Sequence, residues 1–249
     1  MKSILIAFLS LLTLPMFGQI SIQDSSANFI SITGKLGFQY PIGELNQRFG
    51  YGGITGGSVF YKTARNFTYE VGGDFFFGNQ VKETSILSPI LTEDNIIIDR
   101  TGNPAEVILY ERGFIINAKV GKIFPVIGPN PNSGLHVAAG LGYMQHKIKV
   151  YEADELVPQL QGSYIMGYDR LTDGLNLTQS FGYQHFSNYR LWNYYIGIEL
   201  NEGLTKNRRT VNYSTGTNNP NLRFDFLGSV VVKWYFPIYK RSPKDFYFY

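Results

Sequence analysis

Residues 222–236 read Leu222-Arg223-Phe224-Asp225-Phe226-Leu227-Gly228-Ser229-Val230-Val231-Val232-Lys233-Trp234-Tyr235-Phe236. Leu222, Phe224, Phe226, Gly228, Val230, Val232, Trp234 and Phe236 share one parity, and Arg223, Asp225, Ser229 and Lys233 the other. A period of two is the signature of a β-strand. Soluble strands average about five or six residues, whereas this one is long enough to cross a bilayer when tilted. Its polarity separates two all-β folds. A sandwich buries its apolar face and shows water its polar one; here an unbroken aromatic and aliphatic face opposes scattered charges, as a lipid-facing wall opposes a polar lumen.

The same alternation recurs along the chain. In residues 29–40, Ile30, Ile32, Leu36, Phe38 and Tyr40 oppose Ser31, Thr33, Lys35 and Gln39. In residues 67–77, Phe67, Tyr69, Val71, Phe75 and Phe77 oppose Thr68, Glu70 and Asp74. Further strands are expected over 51–63, 107–123, 135–151, 175–185 and 191–203, making eight. Short links at 64–66, 124–134 and 186–190 alternate with long ones at 41–50, 78–106, 152–174 and 204–220. Alternating turn and loop lengths mark a transmembrane antiparallel β-barrel, with short periplasmic turns and long extracellular loops.

Composition agrees. Among 249 residues aromatics make up 16% and charged residues only 16%, where a soluble domain is nearer a quarter charged. There is no cysteine, which excludes disulfides, thiolate metal sites and cysteine nucleophiles. A net charge of +3 is too small to argue for nucleic acid. No cofactor and no metal ligand set is legible. Residues 1–18, with Lys2, an apolar core at 4–14, Pro15 and Gly18, read as a signal peptide cleaved before Gln19. Residues 19–27 then form a periplasmic segment, 28–237 the outer-membrane barrel and 238–249 a periplasmic tail.

Parity sends Lys35, Lys119, Arg223 and Lys233 into the lumen with Glu70, Asp74, Glu111, Glu199 and Asp225. An eight-strand barrel is just wide enough for side chains to fill, and unpaired buried charge is costly. A plugged, charge-paired lumen follows, against a diffusion porin. Arg112 falls on the lipid-facing parity, near the outer interface or at a bulge. The long link at 78–106 contains Ile86, Leu87, Ile90, Leu91, Ile96, Ile97 and Ile98, which form either a cap with its own small core or a surface for a partner. Lys206, Arg208 and Arg209 are a basic cluster in the last loop, either solvated or touching lipopolysaccharide. The tail ends in Phe246, Tyr247, Phe248 and Tyr249, either tucked against the barrel rim or held by a periplasmic partner as a second candidate contact.

Two resemblances bear on function. His185-Phe186-Ser187-Asn188 resembles the His-x-Ser-Asn signature of lipid A 3-O-deacylases of the PagL family. That resemblance implies a serine esterase in which His185 activates Ser187, Asn188 helps build the oxyanion hole, and Glu199 or Asp225 orients the histidine. Parity opposes it, because Glu199 and Asp225 face the lumen while His185 faces outward. The signal, the aromatic-rich eight-strand pattern and the closing Trp234-Tyr235-Phe236 resemble small outer-membrane barrels of Bacteroidota. Gly167-Tyr168-Asp169-Arg170-Leu171-Thr172 and Gly203-Leu204-Thr205-Lys206-Asn207-Arg208-Arg209 resemble motifs of an uncharacterised family in that phylum. The resemblance implies an accessory subunit of an envelope machine, for secretion or outer-membrane protein assembly. The leading expectation is a non-enzymatic scaffold that contacts outer-membrane lipid, lipopolysaccharide and protein partners. A lipid A deacylase is the alternative, and a narrow channel or small-ligand transporter the third.

Overall fold

The computed structural model describes residues 25–187, 192–217 and 221–238. Eight strands close into one antiparallel barrel in sequence order. They are β1 (Phe29–Gly43), β2 (Gly52–Lys62), β3 (Phe67–Gly78), β4 (Val107–Phe124), β5 (Gly134–Glu152), β6 (Thr172–His185), β7 (Tyr194–Asn207) and β8 (Leu222–Ile238). Closure pairs β1 with β8, from Ile30↔Ile238 to Gly43↔Asp225. The links at 63–66, 125–133 and 186–193 lie at one end; those at 44–51, 79–106, 153–171 and 208–221 lie at the other.

The alternation along each strand has a direct physical reading. In β8 the side chains of Asp225, Ser229, Lys233 and Tyr235 are buried, and those of Val230, Val232, Trp234 and Phe236 are exposed on the outer wall. Mid-strand positions on that wall are aliphatic, as with Leu36, Val71, Ile116, Leu141 and Ile198. Aromatics flank them, with Phe38, Phe75 and Phe77 towards the long loops and Tyr61, Phe67 and Trp234 towards the short turns. An aliphatic band between two aromatic girdles is what a bilayer selects. No helix among the described residues is long and apolar enough to cross a membrane. Val71, 61% exposed in mid-strand, therefore tests the band. Val71→Arg is expected to cost about 2–4 kcal/mol in reversible unfolding from lipid vesicles, and a change below about 0.5 kcal/mol would mean that this wall does not face hydrocarbon.

Local chemistry sets the ends of the elements. The β2–β3 turn places Asn66 at φ 62°, a left-handed conformation that asparagine tolerates. The Asn66 amide donates to the Thr63 carbonyl and the Thr63 amide to that of Phe67, at 3.0 and 2.8 Å. Strand β7 begins at Tyr194, three residues later than the sequence pattern implies. The reason is Asn193, whose Oδ1 accepts from the Ser187 amide at 2.8 Å and so takes the place of a ladder bond. Arg112 is on the outer wall in unbroken register with Phe77, so no bulge is present. Its guanidinium stacks over Tyr110 at 4.8 Å and donates to the Glu111 carbonyl at 2.6 Å.

Beyond the wall, β4 and β5 stay paired up to Val107↔Glu152, whereas β3 ends opposite Glu111 and β6 begins opposite His146. A cap packs on this projecting ribbon. Ile86, Leu87 and Ile97 are buried in one hydrophobic cluster with Val157 and Leu160 of the next long loop, and Ile90 and Leu91 pack against it. The Glu152 carboxylate accepts from the Leu156 and Val157 amides at 3.1 and 3.3 Å, which ties the second loop down. Of the two readings of this stretch, the cap accounts for Ile86, Leu87 and Ile97, which are buried in its own core, while Ile96 and Ile98 stay exposed. Phe246, Tyr247, Phe248, Tyr249 and the signal segment lie outside the described residues.

Candidate functional site: the lumen and its outer vestibule

Three layers fill the barrel. In the middle, Lys35 Nζ lies 2.6 Å from Asp74 Oδ2 and 2.7 Å from Glu199 Oε2. Lys119 Nζ lies 3.1 Å from Glu70 and 3.2 Å from Glu199. Lys233 Nζ lies 3.0 Å from Glu70 and 2.7 Å from Glu199. Three ammonium groups thus share three carboxylates, and Glu199 touches all three lysines. Each of these side chains is at most 8% exposed, so the pairing satisfies charges that water no longer reaches. Above this layer Glu111 accepts from Gln39 Nε2 at 2.7 Å. Asn176 and Thr178 both donate to Asn201 Oδ1, at 3.2 and 2.8 Å.

Towards the short turns the lumen is aromatic. Phe60 meets Tyr235 edge to face at 4.9 Å between centroids, and Phe186 meets Phe29 at 4.9 Å in the same way. His136 stands edge-on to Phe60 and Tyr195, its Nε2 2.9 Å from Thr68 Oγ1. Lys62 closes this end, its ammonium donating to Asn132 Oδ1 at 2.8 Å and to Ser26 Oγ at 3.0 Å.

The esterase constellation does not assemble. His185 ends β6 at the short-turn end and stacks on Tyr194 at 4.9 Å. Glu199 pairs in register with Ser180, whereas His185 pairs with Tyr194; five residues along a strand is about 17 Å. Glu199 is held by three lysines. Asp225 belongs to a different group, accepting from His146 Nε2 at 2.9 Å and from the Thr205 hydroxyl, with Arg223 at 3.2 Å. Neither acid reaches the imidazole, for the reason that parity anticipates. Ser187 contributes its amide to Asn193, and Asn188 lies outside the described residues. No group of three or more His, Asp or Glu side chains among the described residues is placed to hold a metal ion.

At the long-loop end the third layer opens into a polar vestibule of about 650 Å³. Its floor is the short helix α1 (Leu45–Arg48), which folds inward because Leu45 and Phe49 are buried over the lumen. Arg48, Arg170 and Arg223 line the cavity together with one carboxylate, Glu83. Glu83 lies 3.1 Å from Arg48 Nε and 3.0 Å from Arg170 Nε. Arg48 also donates to Thr172 Oγ1 at 2.9 Å, Arg170 to Ser214 Oγ at 2.6 Å, and Arg223 to the Glu44 carbonyl at 3.2 Å. Burial first, then repulsion from Arg223, pulls the Arg48 guanidinium down to about 10, with Glu83 and Asp225 opposing. Arg170 is held at φ 52°, a conformation costly for a side chain of its size and kept only when its surroundings impose it.

The two motifs singled out in the sequence meet here. Asp169 of the first binds Arg209 of the second, with Arg209 Nε 2.8 Å from Asp169 Oδ1, and this hydrogen bond raises the Arg209 guanidinium above its ordinary value. Arg208 pairs with Asp173, so the basic cluster is largely internally neutralised, while Lys206 stays exposed on β7. The sequence reading missed Arg48 and Arg170 as site residues and the His146–Asp225 pair; no local spacing signals any of them.

No protein-family model and no curated protein matches the chain. Solved structures similar to it include Neisserial surface protein A (NspA), 11% identical over 83% of this chain and 96% of that one, with a TM-score of 0.46. Another is Ail, the attachment invasion locus protein of Yersinia pestis, 9% identical over 86% and 99%, with a TM-score of 0.42. Ail in complex with the heparin analogue sucrose octasulfate is 10% identical over 85% and 99%, with a TM-score of 0.41.

Proposed function

We propose that this chain is an outer-membrane barrel whose lumen is closed to solutes and whose work is done at its loops, as an accessory or docking subunit of an envelope complex. The observation that carries the reading is the filled lumen: a layer of three lysines and three carboxylates stacked on an aromatic plug. Transport through it would require breaking buried ion pairs, each costly to separate. Ester hydrolysis at His185 and Ser187 is disfavoured because neither Glu199 nor Asp225 reaches the imidazole among the described residues. In this orientation the short turns and both termini lie in the periplasm, and the cap, with Ile96 and Ile98 exposed on it, meets protein partners and lipopolysaccharide.

Two measurements test the reading. In planar lipid bilayers the purified protein is expected to give no single-channel steps, and reproducible conductance would sink the closed-lumen reading. Lipid A from cells expressing the wild type or Ser187→Ala is expected to be identical by mass spectrometry; loss of one acyl chain that depends on Ser187 would establish the esterase instead. Cross-linking from the cap should then retrieve the same envelope protein from the wild type that an Ile96→Ser, Ile98→Ser variant fails to retrieve.

A further inference from the structure

We propose that the outer vestibule binds a soluble saccharide bearing a phosphate or sulfate group, with Arg48, Arg170 and Arg223 receiving the oxyanion and Asn207 and Asn212 facing the hydroxyl-rich body. The volume of about 650 Å³ lies in the range of small-ligand sites. Charge gives the first argument. Three guanidinium groups line one cavity with a single carboxylate, Glu83, and Asp225, beneath Arg223, is already shared with His146. Loop bracing accounts for the Arg48–Glu83–Arg170 bridge but not for a third guanidinium beside it. An anion between the three would offset the desolvation and mutual repulsion that depress the Arg48 guanidinium.

Donor geometry gives the second. Each guanidinium carries five N–H donors in a planar fork suited to tetrahedral oxyanions. Arg170 donates through Nε and one terminal nitrogen, whereas Arg48 donates through one terminal nitrogen and its Nε is only ion-paired with Glu83. Arg223 engages only one terminal nitrogen, and its Nε has no partner among the described residues. Asn212, 4% exposed on the same wall, has an Oδ1 likewise without a partner among them. The lining argues the class of ligand. Every side chain on it is polar or charged, so nothing there would receive an acyl chain. The lining comes from the outer loops and from the loop ends of β7 and β8, over the mouth of the barrel, whereas bilayer lipid meets the outer wall; a soluble source fits this position better than a lipid headgroup.

The inference goes beyond the closed-lumen reading and is independent of it, because conductance needs no ligand and binding is measured on purified protein. The full chain, folded in an uncharged detergent and free of lipopolysaccharide, is titrated calorimetrically with glucose 6-phosphate, glucose and inorganic phosphate. Saturable binding of glucose 6-phosphate is expected, at least about tenfold tighter than either comparison compound. Arg170→Gln and Arg223→Gln should each weaken it by about tenfold or more, with the folded-barrel gel shift intact. Lys149→Gln, a charge on the exposed outer face of β5, should leave it unchanged. Absence of saturable binding up to about 10 mM, equal weakening by Lys149→Gln, or Arg170-dependent binding to lipid A vesicles without binding of glucose 6-phosphate would each overturn the proposal.

Discussion

Glu199→Gln is expected to destabilise the folded barrel by about 3–5 kcal/mol. Lys35, Lys119 and Lys233 all lie within 3.2 Å of the Glu199 carboxylate. Its amide isostere leaves three buried ammonium groups facing only Glu70 and Asp74, and removing one partner of a buried pair strands the other's charge. The check is urea unfolding from lipid vesicles, followed by the fluorescence of Trp192 and Trp234, where the midpoint should fall with little change in slope. Pairing Glu199→Leu with Lys233→Met should recover most of the loss, because one charge of each sign is then removed together. A shift below about 0.5 kcal/mol for Glu199→Gln would show the middle of the lumen to be hydrated.

Phe60→Ala is expected to cost about as much, about 3–5 kcal/mol, through a different mechanism. Phe60 is fully buried and packs on Tyr235, Phe186 and His136. Its neighbours are fixed by the barrel wall and cannot collapse into the space it leaves. Phe75→Ala, on the outer wall, exchanges ring for lipid contact and should cost far less. The aromatic plug and the charged layer touch, since Lys233 Nζ lies 5.3 Å from the Tyr195 ring centroid. The double variant Phe60→Ala, Glu199→Gln is therefore expected to depart from additivity by about 0.5–3 kcal/mol, and strict additivity would show that the layers act independently.

The resemblance of His185 and Ser187 to an esterase signature rests on a short motif, to which the ladders bring neither Glu199 nor Asp225. The two residues do lie together, at the end of β6 and just beyond it, as their spacing requires. A catalytic acid must come from another strand, and the ladder places Glu199 opposite Ser180 instead. The vestibule shows the converse. Arg48, Glu83, Arg170 and Arg223 come from four separate segments, and none carries a motif that predicts the others.

What the sequence determines alone is everything that depends on the two-residue repeat of an extended backbone. Because successive side chains leave opposite faces of a strand, parity is enough to assign Lys35, Glu70, Asp74, Lys119, Glu199 and Lys233 to the interior and Leu36, Val71, Val230 and Trp234 to the wall. Strand length and the alternation of short and long links follow from equally local signals, and together they imply a barrel. Partnership is another matter. Lys35 and Glu199 are 164 residues apart, Lys233 and Glu70 163, and Arg48 and Thr172 124. Their meeting is decided by the register of all eight ladders and by the closure of β1 on β8. A side chain's face is a property of its own residue, whereas its neighbour across the lumen exists only once the sheet has closed on itself.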